Sequence, residues 1–131
     1  MTFLFAGYET TASFISFLLY ETGLMNESEQ NEIKKDLNFF HQKNALARLP
    51  RNSITQSLFR NVLQKHPPSY LLARQPLNNV EVEGINFQKG STIFFGVKEI
   101  QQKTNTLFAF GLGSRICPGI SASYFESAIL L

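Results

Sequence analysis

The sequence predicts a mainly α-helical fold with a small β component, and three observations carry that reading. Apolar residues recur at helical spacing in several stretches, each bounded by a capping or breaking residue. Between residues 80 and 95 the pattern switches to alternation broken at Gly84 and at Lys89-Gly90, as paired short strands require. The chain has 131 residues, which by length is one domain with enough material for a buried core.

Composition narrows the function classes. With 44% apolar residues, 17% charged residues and a net charge of +2, the chain gives no argument for nucleic acid or an anionic membrane. Its single cysteine excludes an internal disulfide and mildly favours a reducing intracellular compartment. Thirteen phenylalanines and no tryptophan predict an aromatic-rich core.

The apolar stretch Thr2 to Tyr20 has three readings. A signal peptide would carry a positive n-region, yet no Lys or Arg precedes Lys34. A transmembrane helix has the length, but Glu9, Thr10, Thr11 and Ser13 argue against a lipid-facing span. The third, a long and mostly buried helix with a polar patch, fits best. Within it Gly7 would let a flat ligand approach closely, and Thr10 can donate its hydroxyl to the carbonyl of Ala6, loosening one helical bond. Small and hydroxylated residues at such places also serve as ordinary packing devices.

Gly23 ends this helix, and Asn26 with Glu29 forms a capping-box pattern for a second helix reaching about Phe40. Ile33, Leu37 and Phe40 face inward there, while Glu29, Glu32, Lys34, Lys35 and Asp36 form a solvated face. Pro50 punctuates. Ser53 caps a third helix with Ile54, Leu58, Phe59, Val62 and Leu63 on its apolar face, and Pro67-Pro68 end it. His41 and His66 read as helix-end residues, because neither has partners at metal spacing. Arg74 closes the next segment, Ser69 to Arg74; an exposed arginine ending a strand is the ordinary reading of it.

The most informative stretch is Phe108 to Gly119, which holds the only cysteine. Gly111 and Gly113 permit tight turns with positive φ that would aim successive amide N–H groups at the Cys117 sulfur. Pro118 suits a first helical position, which would make Cys117 the N-cap of a helix running through Ile120, Phe125 and Ile129 and favour its thiolate. A thiolate on a glycine turn, with Arg115 beside it to pair a carboxylate, suits a metal carried in an anionic macrocycle. An isolated cysteine is otherwise a small buried hydrophobe.

The run Phe110-Gly111-x-Gly113-x-Arg115-x-Cys117-x-Gly119 resembles the haem-binding loop of the cytochrome P-450 haem-thiolate monooxygenases at every fixed position. Ala6-Gly7-Tyr8-Glu9-Thr10-Thr11 is similar to the oxygen-activating segment of the family's central helix, in the family's chain order. The resemblance covers nearly the whole chain and implies the incomplete C-terminal portion of that fold. Residues 1–131 would be a single partial domain, with an oxygen-binding helix near 2–22 and a haem-thiolate loop near 108–119. It further implies Cys117 as the iron ligand of haem b (iron protoporphyrin IX), Arg115 and Arg74 as propionate partners, and Phe110, Gly113, Gly119, Ala6 and Gly7 around the haem. Glu9 and Thr10 would relay protons. An apolar small-molecule substrate, dioxygen and electrons from an external reductase complete the implied reaction, the insertion of one oxygen atom.

Two departures stand beside the match. Where the family presents Glu and, three residues later, Arg, this chain has Asn61 and Gln64, which cannot form a charge-assisted network. Nothing in Lys98 to Leu107 resembles the longer irregular segment, with an aromatic and an arginine, that the family places before the loop. The resemblance also places Met1 inside the counterpart of the central helix, which implies that the roof of a substrate pocket is not in this sequence. These features carry the alternative, a truncated non-catalytic haem binder or inactive fragment. A further idea is a membrane-associated module using Thr2 to Tyr20, for which composition offers no support.

Overall fold

In the computed structural model, residues 2–42 and 53–131 are described. The order of elements is α1 (Thr2–Gly23), α2 (Glu27–Gln42), α3 (Ile54–Lys65), β1 (Leu71–Arg74), β2 (Val80–Val82), β3 (Ile85–Phe87), β4 (Ile93–Gly96), α4 (Val97–Thr104) and α5 (Ile120–Leu130). The mainly helical fold with a small β component is therefore present. Pro50 and the side chain of Phe40 lie outside the described residues.

Local chemistry explains the helix starts. Asn26 and Glu29 form the reciprocal capping box: the Glu29 N–H donates to Asn26 Oδ1 at 3.0 Å, and the Asn26 N–H to Glu29 Oε2 at 3.1 Å. Ser53 Oγ accepts the Gln56 N–H at 3.2 Å and caps α3. Asp36 departs from the solvated face predicted for it. Its carboxylate accepts the Thr55 N–H at 3.3 Å and the Thr55 hydroxyl at 3.1 Å, tying α2 to the first turn of α3.

The core is one cluster of helical faces: Phe14 and Leu18 from α1, Ile33 and Leu37 from α2, and Leu58, Phe59, Val62 and Leu63 from α3, closed by Ala128 of α5. Phe14 meets Phe59 edge-on, with ring centroids 5.5 Å apart. The expectation that α1 is mostly buried fails at its N-terminal end, where Leu4, Phe5 and Tyr8 are 77%, 81% and 79% exposed. α3 and α5 pack against α1, and the buried side chains of α1, Phe14 and Leu18, lie in its C-terminal half. No helix among the described residues is long and apolar enough to cross a membrane.

The β component forms two antiparallel pairs. β2 and β3 make a hairpin whose two turn residues, Glu83 and Gly84, both take positive φ (49° and 79°), the type I′ geometry that matches strand twist. β1 pairs with β4, placing Arg74 opposite Ile93 and Leu71 opposite Gly96. The chain then enters α4, a helix that the apolar pattern of the sequence does not predict. Its signals were present: Gly96 at the N-cap, Glu99 in the first turn, Lys103 in the last, and Asn105 closing it in the left-handed region. Because five of its eight residues are charged or amide-bearing, α4 shows little apolar pattern.

Candidate functional site

The cysteine loop is built from its own backbone. Gly111 and Gly113 take φ of 71° and 70°, a region that L side chains enter only with strain. The Gly111 N–H donates to Phe108 O at 2.9 Å, and a single 3-10 turn, Gly113–Arg115, closes with the Ile116 N–H on Gly113 O at 3.1 Å. The Cys117 N–H then returns to Phe110 O at 2.9 Å and shuts the loop.

Two expectations about the sulfur are corrected by this arrangement. The amides of Gly111, Ile116 and Cys117 are used within the loop, so one N–H reaches the sulfur rather than several: Gly119 donates to Cys117 Sγ at 3.4 Å. α5 begins at Ile120 with Gly119 as its N-cap, so Cys117 lies two residues ahead of that position and Pro118 in the turn between. The first bond of the helix, from the Ser123 N–H to Gly119 O at 2.9 Å, fixes that start.

Cys117 is a free, exposed thiol, which removes the alternative of a buried apolar residue. Arg115 is exposed beside it. Arg74 comes to the same loop from β1: a Cβ placed on Gly111 would lie 3.9 Å from Arg74 Nη2 and 3.7 Å from Leu72 Cδ1. Its Nη1 donates to the carbonyl of Ala73 at 2.8 Å, which holds the guanidinium near the end of the strand. Phe110 anchors the loop to the core through Tyr124 of α5, with centroids 5.6 Å apart. Tyr124 also contacts Phe59 and Phe14 at 5.5 and 6.3 Å, so the loop and α1 share one aromatic bridge. Burial raises the Tyr124 phenol above its ordinary pKa, against a smaller opposing effect of Arg60.

The α1 segment is less distinctive than the sequence suggested. Thr10 Oγ1 does donate to Ala6 O, at 2.6 Å, but Ser16 and Thr22 make the same bond to Ala12 and Leu18, and the helix continues unbroken. Glu9 is exposed, and among the described residues no hydrogen bond or ion pair joins Glu9 or Thr10 to the cysteine loop. A Cβ on Gly7 would meet nothing within 4 Å, so the flank of the helix there is open.

His66 caps α3 through its N–H on Val62 O, stacks on Phe17 with centroids 4.2 Å apart, and sets Nε2 3.0 Å from Glu21 Oε1. It is a helix-end residue. An open cavity of about 740 Å³ lies beside it, lined by Tyr20 and Glu21 of α1, Lys65 and His66, and Lys98 and Gln102 of α4. None of the sequence-predicted site residues borders this cavity. No group of three His, Cys, Asp or Glu residues that could hold an ion occurs among the described residues. A metal at Cys117 would therefore have to bring most of its ligands in a prosthetic group.

Comparisons with known proteins agree with this fold. The cytochrome P450 family model matches residues 1–105, and the chain belongs to that family. The matched span ends just before the cysteine loop. The chain is 30% identical over 100 residues to cytochrome P450 4d2 of Drosophila melanogaster, covering 73% of this chain and 20% of that protein. It is 25% identical to cytochrome P450 93B2 of Gerbera hybrida over an alignment of 167 positions that takes in the whole chain and 32% of the relative. Since 167 positions exceed 131 residues, that relative carries internal segments that this chain lacks. The crystal structure of a cytochrome P450, CYP102L1, superposes with a TM-score of 0.74 at 18% identity, over 98% of this chain and 36% of that one. The chain thus spans between a fifth and about a third of the length of these proteins. The family uses haem and external redox partners.

Proposed function

We propose that this chain carries the haem-thiolate part of a cytochrome P450-type monooxygenase, in which the Cys117 thiolate would hold the iron of haem b. The observation that carries this reading is the loop itself: a free, exposed sulfur on a closed glycine turn that contains Arg115 and is approached by Arg74. The residues fit the group. Cys117 offers one thiolate, Arg115 and Arg74 offer guanidinium forks for two propionates, and the open flank at Gly7 leaves room for a flat ring. When bound, haem would supply the redox and oxygen chemistry that the side chains lack.

The chain's own contributions are binding and orientation. The Gly119 N–H donates to the sulfur, which tempers its electron donation. Phe110, packed edge-on against Tyr124, ties the turn to α5. Arg74 reaches the loop from β1, whose pairing with β4 fixes the backbone that carries this charge partner. Gly119 keeps the backbone beside the sulfur free of a side chain, since a Cβ there would lie 3.6 Å from Cys117 Sγ, and Gly113, with nothing within 4 Å of its Cβ position, leaves the turn open. Ala6 and Gly7 give α1 a smooth flank, and Glu9 and Thr10 supply an acid and an alcohol for proton delivery. The substrate is an apolar small molecule, oxidised with dioxygen and electrons from a reductase.

The exposure of Cys117 and Arg115, and of Leu4, Phe5 and Tyr8, favours a second reading for the isolated chain, a haem binder without turnover. A wet iron site is poorly tuned for oxygen activation. One experiment addresses ligation: the carbon monoxide difference spectrum of the reduced, haem-reconstituted chain beside Cys117→Ala. A long-wavelength thiolate band lost in the mutant is expected. Identical spectra resembling free haem would overturn thiolate ligation. Substrate oxidation, assayed with a reductase present, then separates the two readings.

A further inference from the structure

Gln101 is among the few buried polar side chains, at 3% exposure, and it sits where α3, α4 and the cysteine loop meet. Its amide is saturated. Nε2 donates to Leu63 O at 3.1 Å and to Gln64 O at 3.3 Å, while Oε1 accepts the Phe108 and Ala109 N–H groups at 2.8 and 2.9 Å. An amide has two donors and two acceptor sites, and all four are engaged. The partners also fix its orientation, since a reversed amide would set N–H against N–H and oxygen against oxygen.

Each pair of bonds answers a separate need. Leu63 and Gln64 lie in the last turn of α3, where carbonyls have no partner within the helix, and Val62 O is already taken by His66. Phe108 and Ala109 lead into the Gly111 turn. From there the connection to the sulfur is short: Phe108 O accepts the Gly111 N–H, and Phe110 O accepts the Cys117 N–H. α4 itself continues from the sheet that brings Arg74, through the Val97 N–H on Tyr70 O at 2.9 Å. Asn61 is exposed, and among the described residues neither its amide nor that of Gln64 makes a side-chain hydrogen bond. The joint between α3 and the loop therefore falls to a neutral residue on another helix.

We propose that Gln101 is a positioning residue for the cysteine loop, holding Phe108 and Ala109 against the end of α3 so that Cys117 is presented in one geometry. The link to haem rests on the reading given under Proposed function, and the loop's geometry can be tested without it.

The test compares Gln101→Leu, which keeps the volume but removes all four bonds, with Gln101→Glu, which keeps the acceptor oxygens. Ile33→Val, in the core at α2, serves as the control for general destabilisation. In the haem-free chain, Gln101→Leu is expected to speed exchange of the Phe108 and Ala109 amides by about tenfold or more relative to those of Phe59 and Val62. Ile33→Val should move both sets together, and Gln101→Glu should keep Phe108 and Ala109 slow. In the haem-reconstituted chain, Gln101→Leu should lower the fraction of thiolate-type carbon monoxide band, with Gln101→Glu restoring part of it. Loop amides that exchange in step with the core in Gln101→Leu would overturn the proposal. Should that variant not fold, loss of loop protection alone in Gln101→Glu would do so. Absence of a thiolate band in the unmodified chain would sink the haem reading, and the exchange result would then decide Gln101 by itself.

Discussion

Two glycines with opposite needs make the sharpest residue-scale contrast. At Gly111 a Cβ would find ordinary contacts at 3.7 Å and beyond, but φ of 71° is strained for any L side chain. Gly111→Ala should therefore cost about 1–2 kcal/mol in urea denaturation, through backbone strain rather than crowding. At Gly7 a Cβ meets nothing and the backbone is helical, so Gly7→Ala should stabilise the haem-free chain by about 0.5–1 kcal/mol. If the open flank receives a flat ring, the same methyl should weaken haem binding in a titration. A variant that is more stable and binds haem equally well would remove Gly7 from the site. The glycines, Cys117 and Arg115 were legible in the sequence because their chemistry is local. The proximity of Arg74 to Gly111 was not, since it depends on how β1 pairs with β4.

At the scale of elements, α1 and α3 are clamped at their C-terminal ends by Glu21. Its carboxylate lies 3.0 Å from Lys65 Nζ and 3.0 Å from His66 Nε2. Hydrogen bonding to Lys65 first, and then to His66, lowers the Glu21 pKa below the ordinary carboxyl value of 4.5, against the opposing effect of partial burial. A depressed carboxylate contributes stability above its unfolded pKa and loses it as pH falls through the folded value. The urea midpoint of the wild type should therefore exceed that of Glu21→Gln at pH 7, and the two should converge below about pH 4.5. With Lys65 60% exposed, solvent screening holds the gap to less than about 1 kcal/mol. A constant gap across that range would rule out the clamp as its source. The capping box of α2 could be read from residues 26–29 alone, whereas the Asp36–Thr55 bond joins two helices and left no local mark. α4 carries local end signals but little apolar pattern, and its decisive residue, Gln101, looks like any surface glutamine until its four partners are in place.

At the scale of the whole molecule, apolar side chains among the described residues are exposed at one end of α1 and on the β1–β4 pair, where Leu71 and Phe94 are 58% and 65% exposed. Large apolar side chains exposed in this way favour association in water. Replacing Leu4 and Phe5 by serine should leave the unfolding midpoint nearly unchanged while lowering concentration-dependent association in sedimentation velocity. A drop in stability instead would mean that these residues pack in solution.

By itself the sequence determined what depends on neighbours along the chain: the caps of α2 and α3, the hairpin around Gly84, the glycine turn with its single cysteine, and the family. Tertiary structure alone decided which of those parts meet. It set Arg74 beside Gly111, joined Phe110 to Phe14 through Tyr124, exposed half of a helix that looked buried, and placed a neutral amide at the joint behind the loop. The reason is physical. Caps and turns are short-range bonds written in a few adjacent residues, whereas burial and long-range hydrogen bonds depend on which surfaces the packed helices bring together.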